Sequence, residues 1–467
     1  MPDVSFVGAV PVGRMFPHLP AWQGVVGNIG ATIGALRELA DAMLDTRALD
    51  PAGDNPDIPA GFIFLAQFVG HDITLDPYPM PAYRRTSGIG RSSRVPGLEL
   101  DGLYGAGPIG QPALYERSAH GRHRSRLRIG LTGGGESRDD LPRVDRDANI
   151  GDARNDENLA LAQTHVAFLK FHNAVVEHLA RTGVTGHRLY DEARRVVTWH
   201  YQWIVLHDFL PRIVDQDVLA DVAGNRRWQT RFGARMFIPV EFSAAAFRMA
   251  HSMVRQCYDF NSSFPDATLR QLFDFSGLSE NGLVPVPKSW VIDWHRFFDL
   301  DGPGSALNRA RRFGPFLAPD LHVHVPEGGL AYRNLLRGLQ LGLPTGQTTA
   351  IAMGITPLAA EDIATGADGA IAKAHGLHIE TPLWYYILKE AECLGRRSGS
   401  CAADGGLHLG PVGSRIVAET LFGLVDADPH SFRSQAPNWR PGKMIPAAHP
   451  DRFTMVDLLR FMGAHAR

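Results

Sequence analysis

Cysteine is scarce in this sequence: Cys257, Cys393 and Cys401 are the only three in 467 residues. So few, and odd in number, they exclude a disulfide framework, and their spacing fits no zinc site, so a reducing compartment is expected. Long apolar runs are lacking too, which argues against an integral membrane segment. Charge of one sign is also missing. Forty-seven Lys and Arg against 49 Asp and Glu leave a net charge of −2, so whole-molecule charge gives no reason to expect nucleic acid or an anionic membrane as a partner. The first residues, MPDVSFVGAVPVGRMFPHLPAW, lack a basic start followed by an apolar core. No secretory signal is expected there, and a cytoplasmic location is.

What the chain does have is helical periodicity. Length alone suggests about three domains, but no linker, repeat or low-complexity segment divides the chain. The expectation is therefore an all-α (mainly helical) fold with few short strands, one domain over 1–467, with 1–55 as an N-terminal extension packed on it. Residues 62–77, FIFLAQFVGHDITLDP, carry apolar side chains at helical spacing and read as a buried helix that Asp57-Ile58-Pro59 caps. Further helices are expected over Ile33–Leu44, from Asp156 to Arg181, and from about Leu189 to Leu210 where Pro211 stops it. A single helix is expected from Pro239 through Arg255, then others over 330–342, 381–392 and 410–425. LHVHV at 321–325 alternates as a short strand with His322 and His324 on one face. Gly105, Gly107 and Gly110 match a dinucleotide-loop spacing but contain Pro108 and read as a turn. The basic run at 117–130 reads as a solvated loop or strand.

Polar residues interrupt the apolar helices in pairs: Gln67 with His71, Arg154 with Glu157, Arg248 with His251, and Asn334 with Arg337. Recurrence of this kind points to one buried polar site. Arginines inside a helical core need anionic partners, and a porphyrin carries two carboxylates. A histidine binds iron through one ring nitrogen when a neighbour holds the other, and a second histidine opposite can move protons. His165 and His172, seven apart on one face, are either ligands or core histidines bonded to carbonyls.

Four segments, QFVGHD at 67–72, GDARNDEN at 151–158, FRMAH at 247–251 and RNLLRG with GLP at 333–344, resemble the signature segments of the animal-type haem peroxidases, in the peroxidase–cyclooxygenase superfamily. They stand in the family's order and span most of the chain. The resemblance implies haem b, with His251 as the axial iron ligand and the side-chain carbonyl of Asn334 accepting its other N–H. It implies His71 as the distal base toward hydrogen peroxide, Arg154 as the distal cation, and Gln67 as the holder of distal water or halide. Arg248 and Arg337 would lie near the haem propionates. Asp72 matches a calcium ligand, and Glu99 and Asp101 in PGLELDGLYG match the loop that supplies others.

This sequence departs from the pattern at informative places. Gly70 replaces an aspartate that esterifies a haem methyl in mammalian members, and Asn158 replaces a methionine that forms a sulfonium link. Glu157 retains the second ester-forming acid. Val95 stands where a threonine calcium ligand is expected. With so few cysteines the chain resembles a bacterial-type, disulfide-free branch. The expected activity is peroxide reduction with a small organic or halide reductant. The rivals are a fatty-acid dioxygenase, which would carry a radical-bearing Tyr where Arg248 stands, and a haem-binding protein without turnover.

Overall fold

The computed structural model describes residues 5–7, 10–25, 28–74, 97–117, 124–228, 237–279, 282–325, 328–396 and 405–464. Helices dominate, and the strands are short. The longest, Asp54–Pro59, pairs antiparallel with Arg309–Arg311 across an irregular register. Ser5–Val7, Val10–Gly13 and Ile238–Pro239 make a three-stranded sheet. None of the described helices is long and apolar enough to cross a membrane.

Helix Gly61–Ile73 runs through the interior, and its composition explains why. Phe62, Phe64, Leu65, Phe68 and Val69 are each at most 3% exposed, so apolar side chains project from every side of the helix. Phe68 stacks on Phe168 at 4.7 Å, which joins this helix to Leu159–Arg181. Phe62 meets Phe298 edge-on at 5.1 Å, and Phe64 packs against Tyr258 at 5.6 Å. Each such ring contributes roughly 1.5–3 kcal/mol by leaving water. The apolar core around it extends from Met15 to Leu459. Helices Gly329–Gln340, Leu383–Leu394 and Pro411–Ala427 lie where their periodicity predicts them, and the first closes at Gly342 with φ +59°.

Five expectations need correcting. The segment 57–59 is strand, and Ala60 precedes the helix with no side-chain cap. The helix expected from Asp156 begins at Leu159, because Ala153–Asp156 forms a 3-10 turn and the Asn158 side chain accepts from the Leu161 N–H. Pro211 does not stop the helix His187–Ile204. A π-turn over Val205–Phe209 widens the coil ahead of it, and Pro211 falls in the first turn of Leu210–Ile213, where no helical N–H is lost. The single helix expected after Pro239 is two pieces. Val240–Ala244 breaks at Ala245 (φ −134°, ψ −74°), and Ala246–Met253 continues as a 3-10 helix, against the helix propensity of the three buried alanines at the junction. Finally, 321–325 is not a strand. Pro319 and Asp320 start a helical turn over Pro319–Val323, and His324 faces Asp320 at 3.5 Å.

Candidate active site

Every described residue of Gly61–Thr74 is buried except Gln67, Gly70, His71 and Thr74. These are spaced 0, 3, 4 and 7, so they form one partly accessible stripe on a helix otherwise enclosed by protein. The stripe faces a polar cluster contributed by the GDARNDEN segment.

That segment is pinned by close backbone approach. The Gly151 N–H donates to the Gly102 carbonyl at 2.9 Å, and a Cβ on Gly151 would lie 2.5 Å from the Asp101 carbonyl oxygen. The Asp152 side chain caps the following 3-10 turn through the Arg154 N–H. Arg154 then reaches the end of the buried helix. Its Nη2 donates to the carbonyls of His71 and Thr74, each at 2.8 Å, and to Asp152 Oδ2 at 2.7 Å. Carbonyls left open at a helix C-terminus thus gain a cation, and the cation gains a carboxylate.

His71 Nδ1 donates to Asn155 Oδ1 at 2.9 Å, and its Nε2 lies 3.7 Å from Glu157 Oε1. Gln67 Nε2 donates to Glu157 Oε1, while Gln67 Oε1 accepts from Asn158 Nδ2 at 3.1 Å. Asn158, at the position of the family's methionine, therefore both caps a helix and orients Gln67. Burial lowers the His71 pKa, and the Arg154 charge adds to that. Glu157, Asp152 and the Asn155 hydrogen bond oppose it less strongly. Neutral imidazole is the favoured form, as a base requires.

The second half is built on Ala246–Met253. Three residues per turn in a 3-10 helix put Arg248 and His251 on the same side. Asn334, fully buried in helix Gly329–Gln340, joins them: its Oδ1 accepts from Arg248 Nη1 and its Nδ2 faces His251 Nδ1, both at 2.9 Å. This differs from the expected arrangement, in which the Asn334 carbonyl faces the histidine. Arginine has donors only, so it claims the single acceptor of the amide. Burial pushes the His251 pKa down to about 3, with the charges of Arg248 and Arg333 adding to the effect. Arg333, one residue before Asn334, is a cation that the sequence reading passed over. Arg337 lies a turn beyond Asn334 and is half-buried. The two halves meet where a Cβ on Gly70 would stand 3.5 Å from the Phe247 ring.

The structure thus brings Gln67, His71, Arg154 and Glu157 together, and separately groups His251, Asn334 and Arg248. For a planar tetrapyrrole these residues fit: a strip of accessible polar side chains lies within buried helices, with a neutral histidine in each half and arginine charge near both. The acids expected from the sequence to hold calcium are not gathered into one cluster among the described residues. Asp72 Oδ2 accepts from the Leu100 N–H at 3.2 Å, which ties the loop to the helix. Burial, helped by Asp428 and Asp101, raises the Glu99 pKa to about 7. No group of three or more metal-ligating His, Cys, Asp or Glu side chains occurs among the described residues, and Val95 lies outside them. His172 is a core histidine, bonded to the Tyr104 hydroxyl at 3.1 Å and the Ser125 carbonyl at 2.8 Å. His165 bonds to Asn155. Sequence reasoning missed Asn155 and Asp152, although both stand inside GDARNDEN as polar residues that burial would oblige to find partners.

The family model for animal haem peroxidase matches residues 129–280, which include Arg154, Glu157 and His251. A peroxidase-like protein of Margaritifera margaritifera is 31% identical over 128 residues, covering 26% of this chain and 16% of that protein. The chain therefore spans only a small part of that relative. Among solved structures, peroxidase A of Dictyostelium discoideum matches with a TM-score of 0.65 at 17% identity, over 97% of this chain and 93% of that one. Fatty acid alpha-dioxygenase of Oryza sativa matches with a TM-score of 0.60 at 13% identity, over 99% and 83%. The animal haem peroxidase pattern thus matches the segment that supplies much of the site, and the chain shares its fold across nearly its whole length with a peroxidase and a fatty acid alpha-dioxygenase.

Proposed function

We propose that this chain is a haem-dependent peroxidase that reduces hydrogen peroxide and oxidises a small organic or halide reductant. The observation that carries the reading is the His71 site: a neutral imidazole on an accessible stripe of a buried helix, its Nδ1 engaged by Asn155 and its Nε2 directed to the same side as Gln67 and Glu157. Haem b, when bound, supplies the iron at which the O–O bond is reduced by two electrons. His71 Nε2 takes a proton from the incoming peroxide and returns it to the departing oxygen, which leaves as water. Proton transfer by a positioned histidine contributes typically 10²–10⁴-fold, roughly. Arg154 holds His71 through the backbone carbonyl and adds positive charge near the developing negative charge.

In this reading His251 would hold the haem iron through Nε2, which would require the proton on Nδ1. The Asn334 amide then turns its oxygen to His251, and Arg248 exchanges Asn334 for another acceptor. A haem carboxylate suits Arg248, and Arg337 would hold the other. Calcium at Asp72, Glu99 and Asp101 belongs to the same reading. Its support is the Asp72 bond to the loop and the crowding of acids around Glu99, which a cation would relieve.

The likeness to a fatty acid alpha-dioxygenase makes lipid oxygenation the second reading. Arg248, where the radical Tyr is expected, favours the first. Peroxide turnover with a small phenol, measured beside oxygen uptake with a fatty acid, separates them. Turnover of the phenol without oxygen uptake supports the peroxidase, and the reverse overturns it.

A further inference from the structure

A chain of hydrogen bonds runs from the accessible stripe through Asn155 to His165 in the core, a residue that the peroxidase reading leaves unused. His71 Nδ1 is 2.9 Å from Asn155 Oδ1, and Asn155 Nδ2 is 3.0 Å from His165 Nδ1. The three residues come from three elements: helix Gly61–Ile73, the 3-10 turn Ala153–Asp156 and helix Leu159–Arg181. Asn155 is 2% exposed and His165 not at all.

Burial pushes the His165 pKa down to about 3, so its ring is neutral and offers one donor and one acceptor. Its Nε2 has no hydrogen-bond partner among the described residues, and the Phe68 ring packs against it at 5.8 Å. Among the described residues, no second polar group competes to fix which nitrogen carries the proton. An amide has one accepting end and one donating end, so whichever end meets His71, the other meets His165. The tautomers of the two histidines are therefore linked. With Oδ1 toward His71, the proton sits on His71 Nδ1 and the Nε2 lone pair is left on the accessible side. With the amide reversed, Nε2 would carry the proton and His71 would have no lone pair to act as a base.

We propose that Asn155 and His165 are positioning residues that hold His71 in the tautomer with a bare Nε2. Asn155 accepts the Nδ1 proton, and His165 Nδ1 gives the buried Asn155 Nδ2–H an acceptor in that orientation. This rests on the peroxidase reading, which gives His71 the proton-transfer role.

Cyanide provides the test without turnover. It arrives as HCN and must give its proton to a base as it binds ferric haem, whereas carbon monoxide binds ferrous haem with no proton transfer. Association rates of both are followed at the Soret band of the haem-loaded protein. Asn155→Leu should slow cyanide by about 10- to 100-fold, the usual range for losing the partner that orients a histidine, with carbon monoxide within about twofold. Asn155→Asp, whose carboxylate still accepts from Nδ1, should recover most of the wild-type cyanide rate. His165→Leu should slow cyanide in the same sense and leave carbon monoxide unchanged. Wild-type cyanide rates in Asn155→Leu or in His165→Leu overturn the proposal. So does equal slowing of both ligands, or an Asn155→Asp variant as slow as Asn155→Leu. The peroxidase reading fails elsewhere, in a wild-type protein that binds cyanide and does not turn over peroxide.

Discussion

Arg154 Nη2 donates to the main-chain carbonyl of His71 at 2.8 Å while the same guanidinium pairs with Asp152. The Arg154 guanidinium is thereby a clamp on the helix that carries His71. The arrangement separates two effects of losing it. Arg154→Ala should slow the reaction with peroxide by on the order of 10²-fold, as for removal of a fixed charge or donor. Asp152→Ala keeps the cation but breaks a largely buried pair and should cost about 3 kcal/mol of stability. Stopped-flow rates and urea unfolding of both variants check this. An Arg154→Ala rate within twofold of wild type would remove the residue from the chemistry.

The pH dependence of the peroxide reaction follows from His71. Burial and the Arg154 charge lower its pKa from 6.5, so the neutral, proton-accepting form persists to more acidic pH than a free imidazole. The second-order rate constant should stay level as pH falls from 8 through about 6.5 and decline only below it. A half-maximal point at or above pH 7 would contradict that direction.

Stability should respond to acid through other histidines. Burial lowers His165 to about 3 and His172 and His200 to about 4. Below pH 6.5 the unfolded chain binds protons at these positions and the folded chain does not, so stability falls as pH falls, until the folded pKa values are reached. Each contributes a slope of about 1.4 kcal/mol per pH unit. Urea unfolding at pH 7 and pH 5 should differ accordingly, and replacing His200 by an apolar residue of similar size should lessen the difference. Equal stability at the two pH values would mean that these rings protonate in place.

Covalent attachment of haem is restricted by the same segment. Gly70 has no carboxylate and Asn158 is occupied with Gln67 and the Leu161 N–H, which leaves Glu157 as the one signature acid able to form an ester. Acid–butanone extraction followed by intact-mass measurement, before and after peroxide, should find at most one such link through these positions. Glu157→Gln should abolish any haem that resists extraction. Resistant haem in that variant would place the link at another residue.

Much of this was legible in the sequence because the polar pairs are spaced to fall on one helical face. Gln67 with His71 and Arg248 with His251 did lie together, although the second pair sits on a 3-10 turn where an α-helix was expected. What could not be read were features set by tertiary contact. The break at Ala245 goes against alanine's own preference, Pro211 falls in the first turn of a new helical segment after a π-turn, and 321–325 yields to Pro319 and Asp320. Asn155 looked like one polar residue among several, since its two histidine partners come from segments 84 and 10 residues away. The orientation of Asn334 depends on Arg248 competing for its oxygen, which no spacing rule encodes.

The central claim is that His251 binds haem iron, and the visible absorption spectrum of purified His251→Ala beside wild type tests it most directly. Wild-type protein should show a Soret band that changes on adding peroxide, and the variant, loaded in the same way, should lose or strongly shift that band. A variant that holds haem with an unchanged Soret band and an unchanged response to peroxide would contradict the account.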